Sequence, residues 1–250
     1  MSETPDARLC VALAYCERDP LSYVDITETL RRGGGEVVAA GRDGVLVRCN
    51  TRSLLYLAAD SGEAANLLLA GVEPPEVMVV HGDEAADVAC QRFGLAATPR
   101  CWQVALVSGK LPEPPRADLV FRTLGAEYTH EVAIRYTLQF SEERIRENLD
   151  AGLIIGGFLI DEPDKMIGFI GTHEDGSMGF LEVYPEFRRG DVGTCMTIEL
   201  ARRHLAHGWT PYGHIIEGNL ASLNMSQGLG FSKAEGTLRW LVPSKPDQSR

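Results

Sequence analysis

The stretch from Leu181 to Thr194, LEVYPEFRRGDVGT, constrains the fold more than any other part of this 250-residue chain. It reads as an apolar strand, a proline, a loop rich in arginine and glycine, and a helix whose apolar positions recur at helical spacing from Val192 to Leu205. A loop that opens a helix presents unpaired backbone N–H groups and the positive end of the helix dipole. The stretch therefore predicts an anion site, and phosphate is the usual anion at such a site.

The residues of this loop resemble a known signature. Val183, Pro185, Arg188 and Gly193 are similar to the V-x-P-x-x-R-x-x-G-x-G/A pattern of the GNAT superfamily, the acyl-CoA-dependent N-acyltransferases. The resemblance continues into an Asn that opens the last helix and a Leu-Gly-Phe turn before the last strand, here Asn219, Ser222 and 229–231. It covers residues 119–242. It implies a GNAT fold, transfer of an acyl group to an amine, and acetyl-CoA or another acyl-CoA as cosubstrate.

The resemblance also implies which residues contact the coenzyme. They lie at the loop and at the start of the last helix: Val183, Tyr184, Arg188, Arg189, Gly190, Asp191, Val192, Gly193, Thr194, Asn219 and Ser222. The backbone N–H groups around Val183 and Tyr184 are the implied donors to the oxyanion of acyl transfer. For Asn219 and Ser222, an ordinary helix cap is an equally good interpretation.

One residue departs from the pattern. Asp191 stands where the family has its first glycine, and Gly190 comes one position early. A carboxylate in a pyrophosphate cradle is unfavourable by Coulomb repulsion. We expect its side chain to turn outward or to cap the helix, with Arg188 and Arg189 offsetting the charge.

The same stretch offers a base for the reaction. Glu182 lies in an otherwise apolar strand, where burial of a carboxylate favours its neutral form and suits a general base. A structural ion pair is the alternative. Many members of the family place a Tyr acid seven residues after the Asn, but Ser226 is found there. Tyr184 or Tyr212 could replace it, or the thiolate could leave without an acid.

Composition narrows the partners. A net charge of −11 argues against nucleic acid and anionic membranes and favours a small-molecule amine as acceptor. No apolar run of about 18 residues is present, and the polar N-terminus is atypical of a secretory signal. The six cysteines form no C-x-x-C pair and are expected to be buried thiols, so no metal is predicted. We expect a cytoplasmic protein, with a homodimer left open.

Regular patterns alternate along the whole chain. Proline-rich residues 111–118 are the predicted linker, between an N-terminal domain at 1–110 and a GNAT domain at 119–250. The predicted class is α+β with a mixed sheet, in which the smaller first domain could be a degenerate half-GNAT repeat. The segment 9–14 could be a strand or the start of a helix. Helices are predicted at 21–30, 63–69, 83–93, 128–136, 142–149, from 192 onward and near 221–227, and strands at 36–40, 45–49, 54–59, 77–80, 103–107, 119–123, 153–160, 166–172, 178–184, 212–216 and 238–242.

Three functional hypotheses remain open from the sequence. The first is an N-acyltransferase that moves an acetyl or short acyl group from coenzyme A to the amine of a small molecule or amino acid. The second is a non-catalytic acyl-CoA sensor, which Asp191 and the missing Tyr acid favour. The third is an interaction protein in which the loop is vestigial.

Overall fold

The computed structural model describes residues 5–50, 53–136 and 141–244. The chain forms two compact units that are not contiguous in sequence. Unit 1 comprises residues 1–105, 214–223 and 232–250, and unit 2 comprises residues 106–213 and 224–231. The first four residues, on which the expectation about a secretory signal partly rests, lie outside the described part.

Unit 1 is built on a mixed sheet. Its helices are α1 (Pro5–Cys16), α2 (Val24–Arg31), α3 (Gly62–Leu68) and α4 (Asp83–Phe93). Its strands are β1 (Gly35–Gly41), β2 (Gly44–Cys49), β3 (Leu54–Ala59), β4 (Val77–His81), β5 (Leu95–Ala97), β6 (Cys101–Ala105) and β12 (Ser232–Pro243). The segment that the sequence left undecided, 9–14, is therefore helical.

The last strand of the chain lies inside this sheet. The strand order is β1-β2-β3-β4-β12-β6-β11, with β5 also paired to β12 and β11 spanning Tyr212–Ile216. Strands β3 and β4 run parallel, whereas β12 is antiparallel to both β4 and β6. The sequence grouped this strand with the predicted domain of residues 119–250, but it pairs within unit 1. The predicted linker at 111–118 stays a prediction.

Both faces of the sheet in unit 1 are covered by helices. Alternation along β2 and β3 sends Val47 and Tyr56 into a cluster with α1 and α2, and Leu46 and Leu57 into a second cluster with α3 and α4. All four side chains are fully buried. This pattern explains why these strands read as continuous apolar runs rather than as alternating ones.

Unit 2 holds a separate four-stranded sheet in the order β10-β9-β8-β7. The strands are β7 (Leu119–Thr123), β8 (Ile154–Leu159), β9 (Glu162–Thr172) and β10 (Met178–Val183). The helices are α5 (Thr129–Arg135), α6 (Glu142–Asp150) and α7 (Val192–Ala206), and α8 (Leu220–Gly228) crosses the boundary between the units. Each pair of sheet neighbours is antiparallel.

The sheet of unit 2 also has two packed faces. On one face, Phe158, Phe169 and Phe180 pack with residues of α5 and α6. On the other face, Ile167 packs with Met196 and further residues of α7. Strand β10 is the outer strand of this sheet and comes directly before the loop that opens α7. The candidate site therefore lies at this edge of the sheet.

One prediction about the cysteines is wrong. Cys10 is exposed, because it lies on the outer side of α1. Cys16, Cys49, Cys101 and Cys195 are buried, as expected, and Cys90 is half-buried.

Candidate functional site

Strand β10 is interrupted by a bulge. Its register with β9 shifts between Gly179 and Glu182, and within this interval Phe180 has a left-handed backbone with φ of 54°. Few side chains tolerate this conformation, and here the fully packed ring of Phe180 holds it in place. Bulges commonly redirect a strand beside a functional site. The bulge falls directly before the residues that the sequence assigned to the coenzyme.

The side chains of β10 separate onto two faces. Leu181 and Val183 pack beside the α7 cluster, whereas Phe180 and Tyr184 belong to the α5–α6 cluster. Glu182 alternates with Leu181 and Val183, so it lies on the face of Phe180 and Tyr184. The predicted base is thus placed among aromatic side chains.

Glu182 is nearly enclosed and ion-paired. Only 12% of its side chain is exposed, and its Oε1 lies 2.8 Å from Nη2 of Arg188. The phenol of Tyr136 is held in its neutral form beside it, since burial, with a smaller contribution from the Glu182 carboxylate, raises the pKa of Tyr136 to about 12. The face therefore combines a carboxylate acceptor with a phenol donor.

The backbone of β10 distinguishes the two predicted oxyanion donors. The N–H of Tyr184 donates to the carbonyl oxygen of Ile167 at 3.0 Å, so it is used within the sheet. Successive N–H groups of an antiparallel strand point to opposite sides, so the N–H of Val183 points to the outer edge. The carbonyl oxygen of Val183 shares that edge and accepts from Nε of Arg188 at 2.9 Å. Val183 is thus the better donor of the pair.

The loop after β10 has an unusual backbone. Arg189 and Asp191 are both left-handed, with φ of 64° and 57°. Turn conformations that direct successive backbone N–H groups toward one side make anion-binding concavities. A left-handed backbone is the one that glycine adopts most readily, which agrees with the glycine at this position of the signature that the loop resembles.

Asp191 is the N-cap residue of α7, but its side chain makes no capping hydrogen bond. The side chain is exposed. The sequence allowed the Asp191 side chain either to cap α7 or to turn outward. The capping prediction is wrong, and the outward orientation stays a prediction. The backbone carbonyl of Asp191 still accepts the first helical bond, from the N–H of Cys195 at 3.0 Å.

The first turn of α7 lies close to β10. A Cβ built on Gly193 would lie 3.4 Å from Cγ2 of Val183, which is at the limit of tight contact. The carbonyl of Gly193 accepts from Oγ1 of Thr197 at 2.8 Å, and the buried side chain of Val192 anchors the turn in the core. Thr194 is half-buried at the same turn. A glycine at 193 lets the helix start directly against the strand edge.

Sequence reasoning missed Arg116. Its Nη1 donates to the carbonyl oxygen of Gly190 at 3.0 Å, while Nε and Nη2 hold the carboxylate of Asp118 at 2.9 and 2.6 Å. The guanidinium therefore braces the loop from a segment that was interpreted as a linker. In the sequence, Arg116 stands out as an arginine within a proline-rich segment, but nothing there indicates that it contacts Gly190.

Asn219 and Ser222 lie in unit 1, at the start of α8. Oδ1 of Asn219 accepts from the backbone N–H of Ser222 at 3.2 Å, which is helix capping. This cap neither supports nor excludes contact with the coenzyme, so the predicted coenzyme contacts of Asn219 and Ser222 stay predictions.

The proposed acids differ in how firmly they are held. Tyr212 is fully buried, and its hydroxyl donates to the carbonyl oxygen of Asp175 at 2.6 Å. The hydroxyl of Tyr184 donates to Oε1 of Glu131 at 2.7 Å, and burial followed by the Glu131 carboxylate raises the pKa of Tyr184. Ser226 is buried. Tyr184 shares a face with Glu182, whereas Tyr212 is bound to a turn.

His173 lies on the same face of unit 2 as Glu182. Its ring centroid is 4.3 Å from that of Phe180, and a Cβ on Gly179 would collide with the ring. His214 lies in unit 1 and accepts from Nε1 of Trp240 at 3.2 Å. His173 is thus the histidine placed within unit 2 on the face that carries Glu182.

Metal-binding clusters and membrane-spanning helices are both absent from the described ranges. Those ranges contain no group of three or more His, Cys, Asp or Glu side chains arranged to hold a metal ion. In the same part of the chain, none of the helices has the length and apolar character needed to cross a bilayer.

Comparison with known proteins finds one family match and several similar folds. The FR47-like protein family matches residues 155–241, about a third of the chain, which include β10, the loop and α7. The fold is that of solved GNAT proteins. No curated protein matches the sequence significantly.

Three solved structures illustrate the shared fold. A Drosophila protein is 14% identical with a TM-score of 0.66, covering 97% of this chain and 98% of its own. A GCN5-related N-acetyltransferase from Kribbella flavida is 13% identical with a TM-score of 0.56, covering 90% and 96%. A putative GNAT-family acetyltransferase from Novosphingobium aromaticivorans is 15% identical with a TM-score of 0.53, covering 88% and 97%. At these identities the likeness concerns the fold alone.

Proposed function

We propose that the chain is an N-acyltransferase that moves an acetyl or short acyl group from coenzyme A to the amine of a small molecule or amino acid. One observation carries the proposal. The edge N–H of Val183, the enclosed carboxylate of Glu182 and the loop that opens α7 follow one another along a single short segment of unit 2. Donor, base and phosphate site are all needed for this reaction.

The loop residues fit the pyrophosphate of coenzyme A. Two exposed arginines, Arg188 and Arg189, precede the N-terminus of a 15-residue helix, and two left-handed residues shape the turn that leads into it. Guanidinium groups pair well with phosphate oxygens. When bound, the coenzyme would supply a thioester-activated acyl group.

The outer edge of β10 would bind the amide-containing arm and the acyl group of the cosubstrate. Within the described ranges, no strand of the sheet pairs with the outer side of β10, so its backbone groups can pair with an extended amide-containing arm. The N–H of Val183 would donate to the acyl carbonyl oxygen and stabilise the charge that grows there.

Glu182 would accept the proton of the acceptor ammonium. Its carboxylate is 12% exposed and shares its face with Tyr136, Tyr184 and His173. Arg188 occupies Oε1 of this carboxylate, so proton transfer uses Oε2 or requires that Arg188 turns toward the phosphates. A ligand that draws Arg188 away would free the base, and the acyl donor is such a ligand.

A thiol-release assay with acetyl-CoA and a panel of small amines and amino acids tests the proposal. We expect release that depends on the amine and that falls by about a hundredfold in Glu182→Gln, the usual size of a general-base contribution. Blanks without acetyl-CoA are needed because Cys10 is exposed and reacts with the reagent itself.

A non-catalytic acyl-CoA-binding module is the second candidate. The Arg188–Glu182 ion pair favours it, because both predicted functional groups engage each other at 2.8 Å. The buried serine at 226, in place of a phenol acid, also favours it. This candidate predicts binding of acetyl-CoA with no turnover across the same amine panel.

A further inference from the structure

Unit 1 contains a cavity of about 190 Å³ whose lining includes none of the residues proposed here for acyl transfer. Every residue that lines it belongs to unit 1, including Ser22, Tyr23, His81, Gln103 and Gly236. At ~30 Å³ per molecule, the volume corresponds to about six waters, the size of a small organic molecule. The cavity is therefore large enough for a ligand of its own.

The cavity lies at a break in the sheet. The register between β12 and β6 shifts between Lys233 and Thr237, so residues 234–236 face the single residue Gln103. Gly236 is part of this bulge, and a Cβ added there would lie 3.6 Å from Oγ of Ser22. The bulge opens the sheet where a regular ladder would close it.

Two buried polar atoms at this cavity have no protein partner among the described residues. Gln103 is 1% exposed; its Nε2 donates to the carbonyl oxygen of Ser22 at 3.2 Å, but its Oε1 accepts no hydrogen bond. Oγ of Ser22 is equally without a partner, and that residue is 7% exposed. Burying such atoms costs free energy unless another group bonds them. Gln103 and Ser22 both line the same cavity, so one ligand that reaches these two atoms could satisfy them together.

The charges around the cavity favour a cation. The fully buried carboxylate of Asp25 already has histidine partners. Its Oδ2 lies 3.0 Å from Nε2 of His81 and 3.7 Å from Nε2 of His214. Asp19 adds a second carboxylate to the lining, where its Oδ1 accepts from the backbone N–H of Ser22 at 3.1 Å. None of the ten lining residues is Lys or Arg.

We propose that unit 1 binds a small primary amine in this cavity, with the ammonium donating to Oε1 of Gln103 and to Oγ of Ser22 and the Asp19 carboxylate near it. The site does not depend on acyl transfer or on coenzyme binding. The amine is recognised by its N–H donors and positive charge, and the cavity volume limits its size.

Isothermal titration of the full chain, without any acyl donor, tests this site. The probes are ethanolamine, 1,4-diaminobutane, agmatine and lysine. Butanediol and succinate share the four-carbon chain of 1,4-diaminobutane and serve as neutral and anionic controls. We expect at least one amine to bind, and neither control to bind.

Two variants locate the binding. Gly236→Ala places a methyl group toward Ser22 at ordinary contact distance, and Gln103→Leu removes the acceptor. We expect each to weaken amine binding by about tenfold or more, equivalent to ~1.4 kcal/mol. Gly41→Ala is the matched control, because a Cβ there meets nothing within 4 Å. Circular dichroism verifies that each variant is folded.

The outcomes separate this site from the acceptor site of unit 2. Binding that survives Gly236→Ala but is lost in Glu182→Gln would assign the amine to β10 and overturn the proposal. An absence of binding by every amine would overturn it as well. Binding that is lost in Gly236→Ala and kept in Glu182→Gln supports it, whether or not the chain transfers acyl groups.

Discussion

Nη2 of Arg188 lies 2.8 Å from Oε1 of Glu182, and Nε of the same guanidinium lies 2.9 Å from the carbonyl oxygen of Val183. One side chain thus bridges the proposed base and the strand edge that would receive the acyl donor. Arg188 is also the arginine of the phosphate-binding signature. Its exposed guanidinium is more easily moved than the enclosed carboxylate, since 55% of its side chain is exposed against 12% for Glu182.

Glu182→Gln tests the base. We expect kcat to fall by about a hundredfold, because the amide cannot accept the proton of the ammonium. The Kd of acetyl-CoA should stay the same or decrease, because Arg188 loses its carboxylate partner and is free for phosphate. Steady-state kinetics and titration measure the two effects. Glu186→Gln, an exposed residue of the same segment, is the control, and a kcat within about twofold of wild type in Glu182→Gln would exclude the base role.

Asp191→Gly tests the departure from the signature. The left-handed backbone at φ of 57° costs a non-glycine residue ~1–2 kcal/mol, partly offset by the greater unfolded-state entropy of glycine. We therefore expect no loss of stability in thermal unfolding, and acetyl-CoA binding that is equal or tighter because a carboxylate leaves the loop. Arg189→Gly relieves the same kind of backbone strain but removes a cation, and should bind more weakly. A loss of about tenfold in Asp191→Gly would show that the carboxylate helps binding.

Gly168→Ala tests the close pairing that positions Glu182. A Cβ on Gly168 would collide with the backbone carbonyl of Glu182 and lie 2.9 Å from Cε of Met196. We expect the free energy of unfolding to fall by about 1–3 kcal/mol, as for other overpacked sites. Denaturant unfolding measures this change. Gly41→Ala should change it by less than about 0.5 kcal/mol, and equal effects in the two variants would contradict the packing described here.

The phenol of Tyr136 should titrate at high pH. Burial raises its pKa to about 12, above the ordinary value of about 10 in an unfolded chain. A raised folded-state pKa contributes stability that is complete below the unfolded value, so unfolding free energy should fall as the pH rises between the two. Absorbance at the tyrosinate band, compared between wild type and Tyr136→Phe, measures the titration. Glu182→Gln should lower this pKa slightly, because the carboxylate is the smaller cause, and a phenol that titrates at its ordinary pKa would show that Tyr136 is not buried as described.

Much of the fold could be predicted because local patterns agree with it. The helix Asp83–Phe93 and the strand Leu119–Thr123 have the predicted bounds, and Gly82 and Gly94 flank the helix. The cap of α6 is also local: Oγ of Ser141 accepts from the N–H of Arg144 at 3.3 Å, three residues along the chain. Such features depend on neighbours in sequence, and these are visible in one chain.

Features that depend on distant partners could not be predicted. The strand at 238–242 was recognised as a strand, but its pairing with β4 and β6 depends on more than a hundred intervening residues. The contact of Arg116 with Gly190 joins two loops in the same way. The left-handed Phe180 carries no sequence signal, because the residue type normally avoids that backbone. Glu182 was identified, whereas the arginine that pairs with it was assigned to phosphate and to the charge of Asp191.

Titration of acetyl-CoA into the wild-type chain, Arg188→Ala and Arg202→Ala tests the central claim most directly. Arg202 is an exposed arginine of α7 that pairs with Glu113, so it controls for the loss of one positive charge. We predict one binding site in the wild type, unchanged in Arg202→Ala and weakened by about tenfold or more in Arg188→Ala. No binding to the wild-type chain, or equal binding to all three chains, would contradict the assignment of residues 183–194 as the coenzyme site.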